Sequence, residues 1–193
     1  LREIKSDIEI KEMDFAADTA YYMHTTAMKM CKPGVIEQEI TGVLEGIAIA
    51  RGGTISFPNI ISVDGQTLHN HSHHNVLKEG RMMVCDCGAE TVNYLDSDFT
   101  RTIPVGGKFN SRQRDVYEIV LKANTEVAKH TKPGMRYMEM HKLAARTLIE
   151  GLQGIGLMKG NIDDALAAGA HYLFQPHGLG HMLGMDVHDM EGL

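Results

Sequence analysis

The chain has 193 residues, of which 43% are hydrophobic and 23% charged, and its formal net charge is −6. This length is sufficient to bury a core, and the composition is typical of a globular protein. The excess of acidic residues argues against nucleic acid as a partner. No apolar run reaches the roughly 18–20 residues that a membrane span requires, and the charged N-terminal segment is unlike a signal peptide, so we expect no membrane partner.

Cysteine usage indicates a reducing compartment. The three cysteines are too few and too odd in number for a disulfide framework, so we expect a cytoplasmic location. Cys85 and Cys87 are separated by one residue and lack the second pair of a typical zinc site. We therefore interpret both as packing residues.

The first part of the chain combines two predicted helices with strands. Ser6 and Glu9 form a capping box before a long apolar pattern of helical spacing, which ends at the Lys-Pro-Gly sequence of residues 32–34. The helical period returns over residues 35–50. Short β-branched stretches broken by Gly and Asn then predict strands and a hairpin, over residues 59–70 and 81–103.

The second part repeats this order of elements. Helical spacing resumes after Pro104 and ends at a second Lys-Pro-Gly, residues 132–134, before a fourth predicted helix. The repeat predicts two similar αβ halves, residues 1–108 and 109–193. Strands comparable to those of the first half do not fit into the remaining sequence, so we expect the last strands of the second half to be missing.

Two carboxylates flank a polar turn that is predicted near Val92. In a symmetric hairpin Asp86 lies directly opposite Asp98, with Cβ atoms about 4.5–5.5 Å apart. Like charges at this distance repel, and a hard divalent cation between them would remove that penalty. Two alternatives stay open: a shifted register that puts Asp96 in the place of Asp98, and a register that leaves both carboxylates in solvent.

Histidines form two clusters. His177, His181 and His188 lie in a segment too rich in glycine for a stable helix, and Gly178 follows the first of them where a zincin motif needs Glu. Imidazole is a common ligand of transition metals, so we interpret this cluster as functional. The second cluster consists of His69, His71, His73 and His74, whose alternation would place the first three on one face of an extended strand. Metal binding by composition alone is the alternative there.

Several of these segments together resemble a known family. They are residues 84–88, 97–102, 177–181 (HGLGH) and 186–189 (DVHD), and they look like those of the dinuclear metallopeptidases that include aminopeptidase P, prolidase and methionine aminopeptidase. The resemblance runs along nearly the whole chain and is greatest to the proline-specific members. It implies an α+β class and the duplicated pita-bread fold, with helices on an antiparallel sheet, over residues 1–193.

The resemblance also implies roles for individual residues. The implied metal ligands are Asp86, Asp98 and His181, with one carboxylate bridging two divalent ions, usually manganese or cobalt, with zinc also an option. His69 would contact the scissile nitrogen, His188 would polarise the carbonyl, and His177 would line the proline site. The spacing from Asp86 to Asp98 is one residue longer than the family's usual spacing, which keeps Asp96 as an alternative ligand.

The implied activity is that of an Xaa-Pro aminopeptidase acting on proline-containing peptides. An Xaa-Pro dipeptidase is the alternative within the family. A non-catalytic binding module on the same fold is a second alternative, and a metal-storage protein built on the histidines is a third, although it leaves the aspartate pair unexplained. The family's two further glutamate ligands would follow the DVHD segment, beyond Leu193. We therefore expect an incomplete catalytic domain that is inactive by itself and whose exposed strand edge favours a homo-oligomer.

Overall fold

The computed structural model describes residues 2–191, and Leu193, the predicted end of the domain, lies outside them. The described residues form a mixture of helices and antiparallel strands, which confirms the α+β class. The helices are α1 (Asp7–Met30), α2 (Glu37–Ala50), α3 (Ser111–His130), α4 (Tyr137–Gly154) and α5 (Ile162–Ala167), with a 3₁₀ helix at Ala170–Leu173. The strands are β1 (Thr54–Ile55), β2 (Ile60–Ser62), β3 (Met82–Cys87), β4 (Ala89–Glu90) and β5 (Phe99–Pro104).

The chain divides into two compact units. One contains the residues up to Lys108 together with the segment from His181 onward, and the other is Phe109–Gly180. None of the helices within residues 2–191 combines the length and the apolar character that a bilayer span needs.

Helix α1 begins and ends where the sequence predicts. The Glu9 carboxylate accepts a hydrogen bond of 2.7 Å from the Ser6 backbone N–H, which completes the capping box. The helix presents a buried face to the sheet, formed by Ala16, Thr19, Ala20, Met23, His24 and Ala27. This spacing of three and four residues is the one expected for a single helix face against a core.

The main sheet of the first unit has the order β2-β3-β5, and all its strands are antiparallel. The side chains of β3 alternate, because Met83, Cys85 and Cys87 are buried in the core while Val84 and Asp86 are half-buried on the opposite face. Strand β3 therefore separates the hydrophobic core from the face that carries Asp86, a predicted metal ligand.

The predicted hairpin register is wrong by two residues. Asp86 lies opposite Thr100, and not opposite Asp98. The reason is that β3 does not run directly into the turn: Gly88 packs against the Ser97 carbonyl so closely that a Cβ would collide with it, and the next residues pair with β1 instead. A shift of two residues keeps the side-chain parity, so Asp86 and Asp98 stay on the same face as diagonal neighbours.

The predicted strand through the second histidine cluster is also wrong. Strand β2 ends at Ser62, and residues 65–75 form a loop in which His69 has a φ of 51°. Side-chain hydrogen bonds hold this loop both locally and to α2: the Asn70 side chain accepts from the Ser72 N–H, and the Asn75 side chain donates to the buried Glu37 carboxylate. Asn and Ser side chains that form hydrogen bonds to nearby backbone groups compete with strand pairing. The segment is therefore a loop in spite of its alternating histidines.

Within the second unit, α3 and α4 form a packed helix pair. Gly151 of α4 lies so close to Ile119 of α3 that a Cβ there would contact the isoleucine side chain. Asn110 caps α3 by accepting from the Gln113 N–H, and α3 ends just before the second Lys-Pro-Gly, as predicted. Helix α5 and the 3₁₀ helix carry no sequence signal that predicted them.

Candidate metal centre

A cleft of about 280 Å³ opens in the first unit, on the face of the main sheet that carries Asp86. Its lining comes from β2 and the residues just before it, from the loop of residues 65–75, from β3, from the residue that precedes β5, and from the C-terminal segment (residues 181–191). The lining residues are Phe57, Pro58, Ile60, His69, His71, Asp86, Asp98, Val187 and His188. Four of the predicted site residues therefore share one cavity although they are widely separated in the sequence. They are His69, Asp86, Asp98 and His188.

Asp86 and Asp98 both line the cleft, and the negative charges of their carboxylates repel each other. Burial raises the pKa of Asp86; the hydrogen bond from Thr100 acts against this, and the charge of Asp98 adds to the rise. Thr100 Oγ1 donates that bond to Asp86 Oδ1 at 2.7 Å. A cation near both carboxylates would lower the free energy of their charged forms.

His181 connects the C-terminal segment to Asp98. Its Nε2 lies 3.1 Å from Asp98 Oδ2, and its Nδ1 lies 2.8 Å from the Met182 carbonyl oxygen. Both ring nitrogens thus face oxygen acceptors, whereas a neutral imidazole has one N–H to donate. A metal cation on Nε2 would satisfy the contact with Asp98, and a backbone carbonyl on the other ring nitrogen is the usual arrangement around a ligating histidine. The donor set therefore fits a divalent ion.

The three predicted ligands do not form one compact group. Among residues 2–191, the one group of three whose ligand atoms all lie within 4.8 Å of one another is His24, Cys85 and Cys87. His181 contacts Asp98, and Asp98 shares the cleft lining with Asp86. Of the three predicted ligands, Asp98 is therefore the one that is linked to both of the others.

Asp96, the alternative ligand, occupies a different environment. It is buried, it does not line the cleft, and its Oδ1 has no hydrogen-bond partner among the described residues. Burial raises its pKa to about 7, and the neighbouring carboxylates, Glu90 first, add to the rise. Its backbone N–H donates to the Gly184 carbonyl at 2.8 Å, which attaches the C-terminal segment to the turn before β5.

The C-terminal segment is also held by charges that the sequence analysis missed. Arg2 lies 2.7 Å from both Asp186 and Asp189, and Lys5 lies 3.5 Å from Asp189. The side chain of Asp189 is 1% exposed, so these contacts anchor the segment that carries His188. No periodicity links residues at opposite ends of the chain, and opposite charge alone is too common to have identified the pairs.

The rings of His181 and His188 are in contact, with centroids 4.0 Å apart. His188 is exposed towards the cleft that it lines, while His181 is half-buried. The two histidines therefore hold each other in place, one directed to Asp98 and the other available to a bound molecule.

The remaining histidines of the two clusters differ in their surroundings. His71 lines the cleft, whereas His73 Nε2 lies 3.0 Å from the Asn59 carbonyl oxygen and His74 is exposed. His177 belongs to the second unit, where it is exposed and its Nδ1 lies 2.8 Å from the Gly178 carbonyl oxygen. The prediction that His177 lines a proline site stays a prediction.

Known proteins resemble the chain over almost its whole length. The Xaa-Pro aminopeptidase of Escherichia coli K12 is 34% identical over 98% of the chain, and the human Xaa-Pro dipeptidase is 33% identical over 99%. These matches cover 44% and 40% of the two relatives. The chain thus spans less than half the length of either relative.

Solved structures agree with the sequence relatives. Aminopeptidase PepP of Pseudomonas aeruginosa superimposes with a TM-score of 0.96 at 33% identity, over 99% of this chain and 44% of that protein. A zinc-substituted E. coli aminopeptidase P in complex with product gives a TM-score of 0.91 at 33% identity, with the same coverage. These likenesses confirm the pita-bread fold. The model of metallopeptidase family M24 matches residues 11–193, and the chain belongs to this family.

Proposed function

We propose that the protein carrying this sequence is a metal-dependent aminopeptidase that removes the N-terminal residue from Xaa-Pro peptides. One observation carries the proposal: two carboxylates and two histidines from separate parts of the chain line a single cleft, and His181 contacts one of the carboxylates. The E. coli and Pseudomonas relatives, both aminopeptidases, support the substrate class.

Two divalent ions, with Mn²⁺ as the first choice, would be held by Asp86, Asp98 and His181. When bound, the ions supply a hydroxide nucleophile near neutral pH and stabilise negative charge on the carbonyl oxygen. The contact between His181 Nε2 and Asp98 supports this ligand assignment, because a cation there satisfies both groups.

The other polar residues of the cleft position the peptide. His188 donates a hydrogen bond to the carbonyl oxygen of the scissile bond, and this bond strengthens as charge develops on that oxygen. His69 contacts the scissile nitrogen, and its loop is held by the hydrogen bonds around Asn70. The apolar wall formed by Phe57, Pro58 and Ile60 displaces water from the bound peptide.

An Xaa-Pro dipeptidase is the second candidate, and the match to the human dipeptidase favours it. The two activities differ in substrate length, because a dipeptidase acts on Xaa-Pro itself and an aminopeptidase also acts on longer peptides. The cytoplasmic location and the homo-oligomer stay predictions.

The test is a peptide assay on the whole protein that carries this sequence, with Mn²⁺ added after removal of metals by a chelator. We expect hydrolysis of Xaa-Pro-Yaa peptides, little hydrolysis of matched Xaa-Ala-Yaa peptides, and loss of activity on chelation. Asp98→Asn should abolish turnover, while Asp14→Asn, at an exposed position of α1, should not change it. Turnover of Xaa-Pro alone would identify the dipeptidase, and metal binding without any turnover would instead identify a binding module.

A further inference from the structure

The core side of β3 carries a second group of potential metal ligands. Cys85 and Cys87 flank Asp86 on the strand, and both point away from the cleft towards α1, where His24 lies on the buried helix face. Their ligand atoms all lie within 4.8 Å of one another. The cysteines have no exposed surface and His24 is 6% exposed. The aminopeptidase site does not use any of the three.

The distances in this group match those around a thiophilic ion. The two sulfur atoms are 3.8 Å apart. An ion about 2.3 Å from each sulfur, as Zn²⁺ is in proteins, places the sulfurs about 3.8–4.0 Å apart for tetrahedral or trigonal angles. Cys85 Sγ also lies 3.6 Å from His24 Nδ1. The sulfurs therefore already have the separation of a bound pair without a change in the strand.

The histidine is oriented as a ligand by the backbone. His24 Nε2 lies 3.3 Å from the Cys87 carbonyl oxygen and 3.4 Å from Cys87 Sγ. In the tautomer with its N–H on Nε2, the ring donates to that carbonyl and its lone pair is on Nδ1. Ligating histidines characteristically donate their other N–H to a carbonyl or carboxylate in this manner. Nδ1 is therefore the ligand atom, on the side of Cys85.

The charge balance favours a divalent ion of the zinc class. Two thiolates and one neutral imidazole around Zn²⁺ or Cd²⁺ form a complex with no net charge, which a hydrophobic core tolerates far better than an unpaired ion. Each thiol gives up its proton when the ion binds, so two protons are released per ion. Soft sulfur ligands disfavour Mn²⁺, which prefers oxygen.

We propose that His24, Cys85 and Cys87 form a binding site for a thiophilic divalent cation, of the Zn²⁺ and Cd²⁺ class, behind the strand that carries Asp86. The site lies on the opposite face of β3 from the cleft, so an ion there joins α1 to the strand without entering the peptidase site. The interpretation of the two cysteines as packing residues alone missed this, because the third ligand is 61 residues away from Cys85 in the sequence.

Cd²⁺ provides the test, because thiolate-bound Cd²⁺ has an ultraviolet charge-transfer absorption that carboxylate-bound Cd²⁺ lacks. The whole protein is purified under reducing conditions with Mn²⁺ in excess, and Cd²⁺ is supplied both to the purified protein and during expression, because the ligands are buried. We expect the absorption at one thiophilic site per chain and at least a tenfold weaker affinity in Cys85→Ser and Cys87→Ser. Cys31→Ser is the matched control, since Cys31 is a buried, free cysteine outside the group.

A second measurement keeps the proposal testable if the serine variants fail to fold. X-ray absorption at the zinc edge of unmutated protein, with the peptidase site filled by Mn²⁺, should give two sulfur neighbours and one nitrogen neighbour. Oxygen and nitrogen neighbours alone would overturn the proposal, as would a Cd²⁺ absorption that Cys85→Ser leaves unchanged or no absorption at all.

Discussion

Asp86 lies directly opposite Thr100 in the sheet, and the Thr100 hydroxyl donates a hydrogen bond of 2.7 Å to its carboxylate. This pair occupies the position that the sequence assigned to Asp86 and Asp98. The hydroxyl fixes one carboxylate oxygen of Asp86, a residue that lines the cleft. Thr100 is therefore expected to orient the proposed ligand without binding metal itself.

Thr100→Val tests this role. Loss of the hydroxyl removes the orienting hydrogen bond, and groups that orient a metal ligand typically change metal affinity by about 10–100-fold. We expect a weakening of that size in a calorimetric Mn²⁺ titration of the whole protein. Thr102→Val is the matched control, because Thr102 is two residues along the same strand, opposite Val84. An equal loss of affinity in both variants would contradict an orienting role for Thr100.

His188→Ala tests the assignment of the histidine that stacks on His181. Removal of one hydrogen-bond donor to a developing oxyanion lowers kcat by about 10²–10³. The bound Mn²⁺ per chain should stay nearly unchanged, since His188 is not proposed as a ligand. Steady-state kinetics with metal analysis measures both quantities, and His74→Ala, an exposed histidine outside the cleft lining, is the control. Loss of metal with unaltered turnover per bound ion would make His188 a ligand.

Asp189 should contribute stability that depends on pH. Burial acts to raise its pKa, but the Met190 N–H, Arg2 and Lys5 together hold it below its ordinary value. A carboxylate with a lowered pKa stabilises the folded state above the unfolded-state pKa of about 3.9, and this stabilisation is lost as the pH falls through the folded-state pKa. Urea unfolding should therefore show a smaller effect of Asp189→Asn at acidic pH than at pH 7.

The expected size at pH 7 is a decrease of about 1–3 kcal/mol in the free energy of unfolding, because charged hydrogen bonds to a buried carboxylate are removed. Asp14→Asn, at an exposed position, is the control. A difference between Asp189→Asn and the unmutated protein that stays constant down to pH 3 would show that the charge of Asp189 is not the cause.

Gly88→Ala tests the close approach that sets the register of β3 and β5. A Cβ at this position would collide with the Ser97 carbonyl and with the Ser56 hydroxyl, so the backbone must move. We expect a loss of stability of at least about 1–3 kcal/mol. Gly42→Ala in α2 is the matched control, since a Cβ there meets no atom within 4 Å and alanine favours a helix over glycine by about 1 kcal/mol. Equal stability of the two variants would contradict the packing argument.

Local signals predicted the helices well. The capping box at Ser6 and the Lys-Pro-Gly sequences define helix ends through contacts between residues close in sequence, so they could be identified without the fold. The register of β3 and β5 could not, because it depends on the packing of Gly88 against Ser97 and on the pairing of β4 with β1. The predicted register was wrong by two residues, an even number, so each side chain stays on its predicted face of the sheet. Asp86 and Asp98 therefore still share the cleft.

Ion pairs and side-chain clusters formed by residues far apart in the chain could not be predicted from the sequence. Nothing in the local pattern connects Arg2 with Asp189, or His24 with Cys85, because each pair is formed by the packing of α1 against residues far along the chain. The cleft histidines were found because their segments carry a recognisable family pattern. The loop that presents His69 was mistaken for a strand, because the alternation of histidines does not reveal the hydrogen bond that the Asn70 side chain accepts from the Ser72 N–H.

Anomalous diffraction from a Mn²⁺-soaked crystal of the whole protein tests the proposed metal centre most directly. We predict manganese within about 2.0–2.4 Å of carboxylate oxygens of Asp86 and Asp98 and of His181 Nε2. Manganese bound by Asp96 in place of Asp98, or an ion that His181 does not contact, would contradict this prediction.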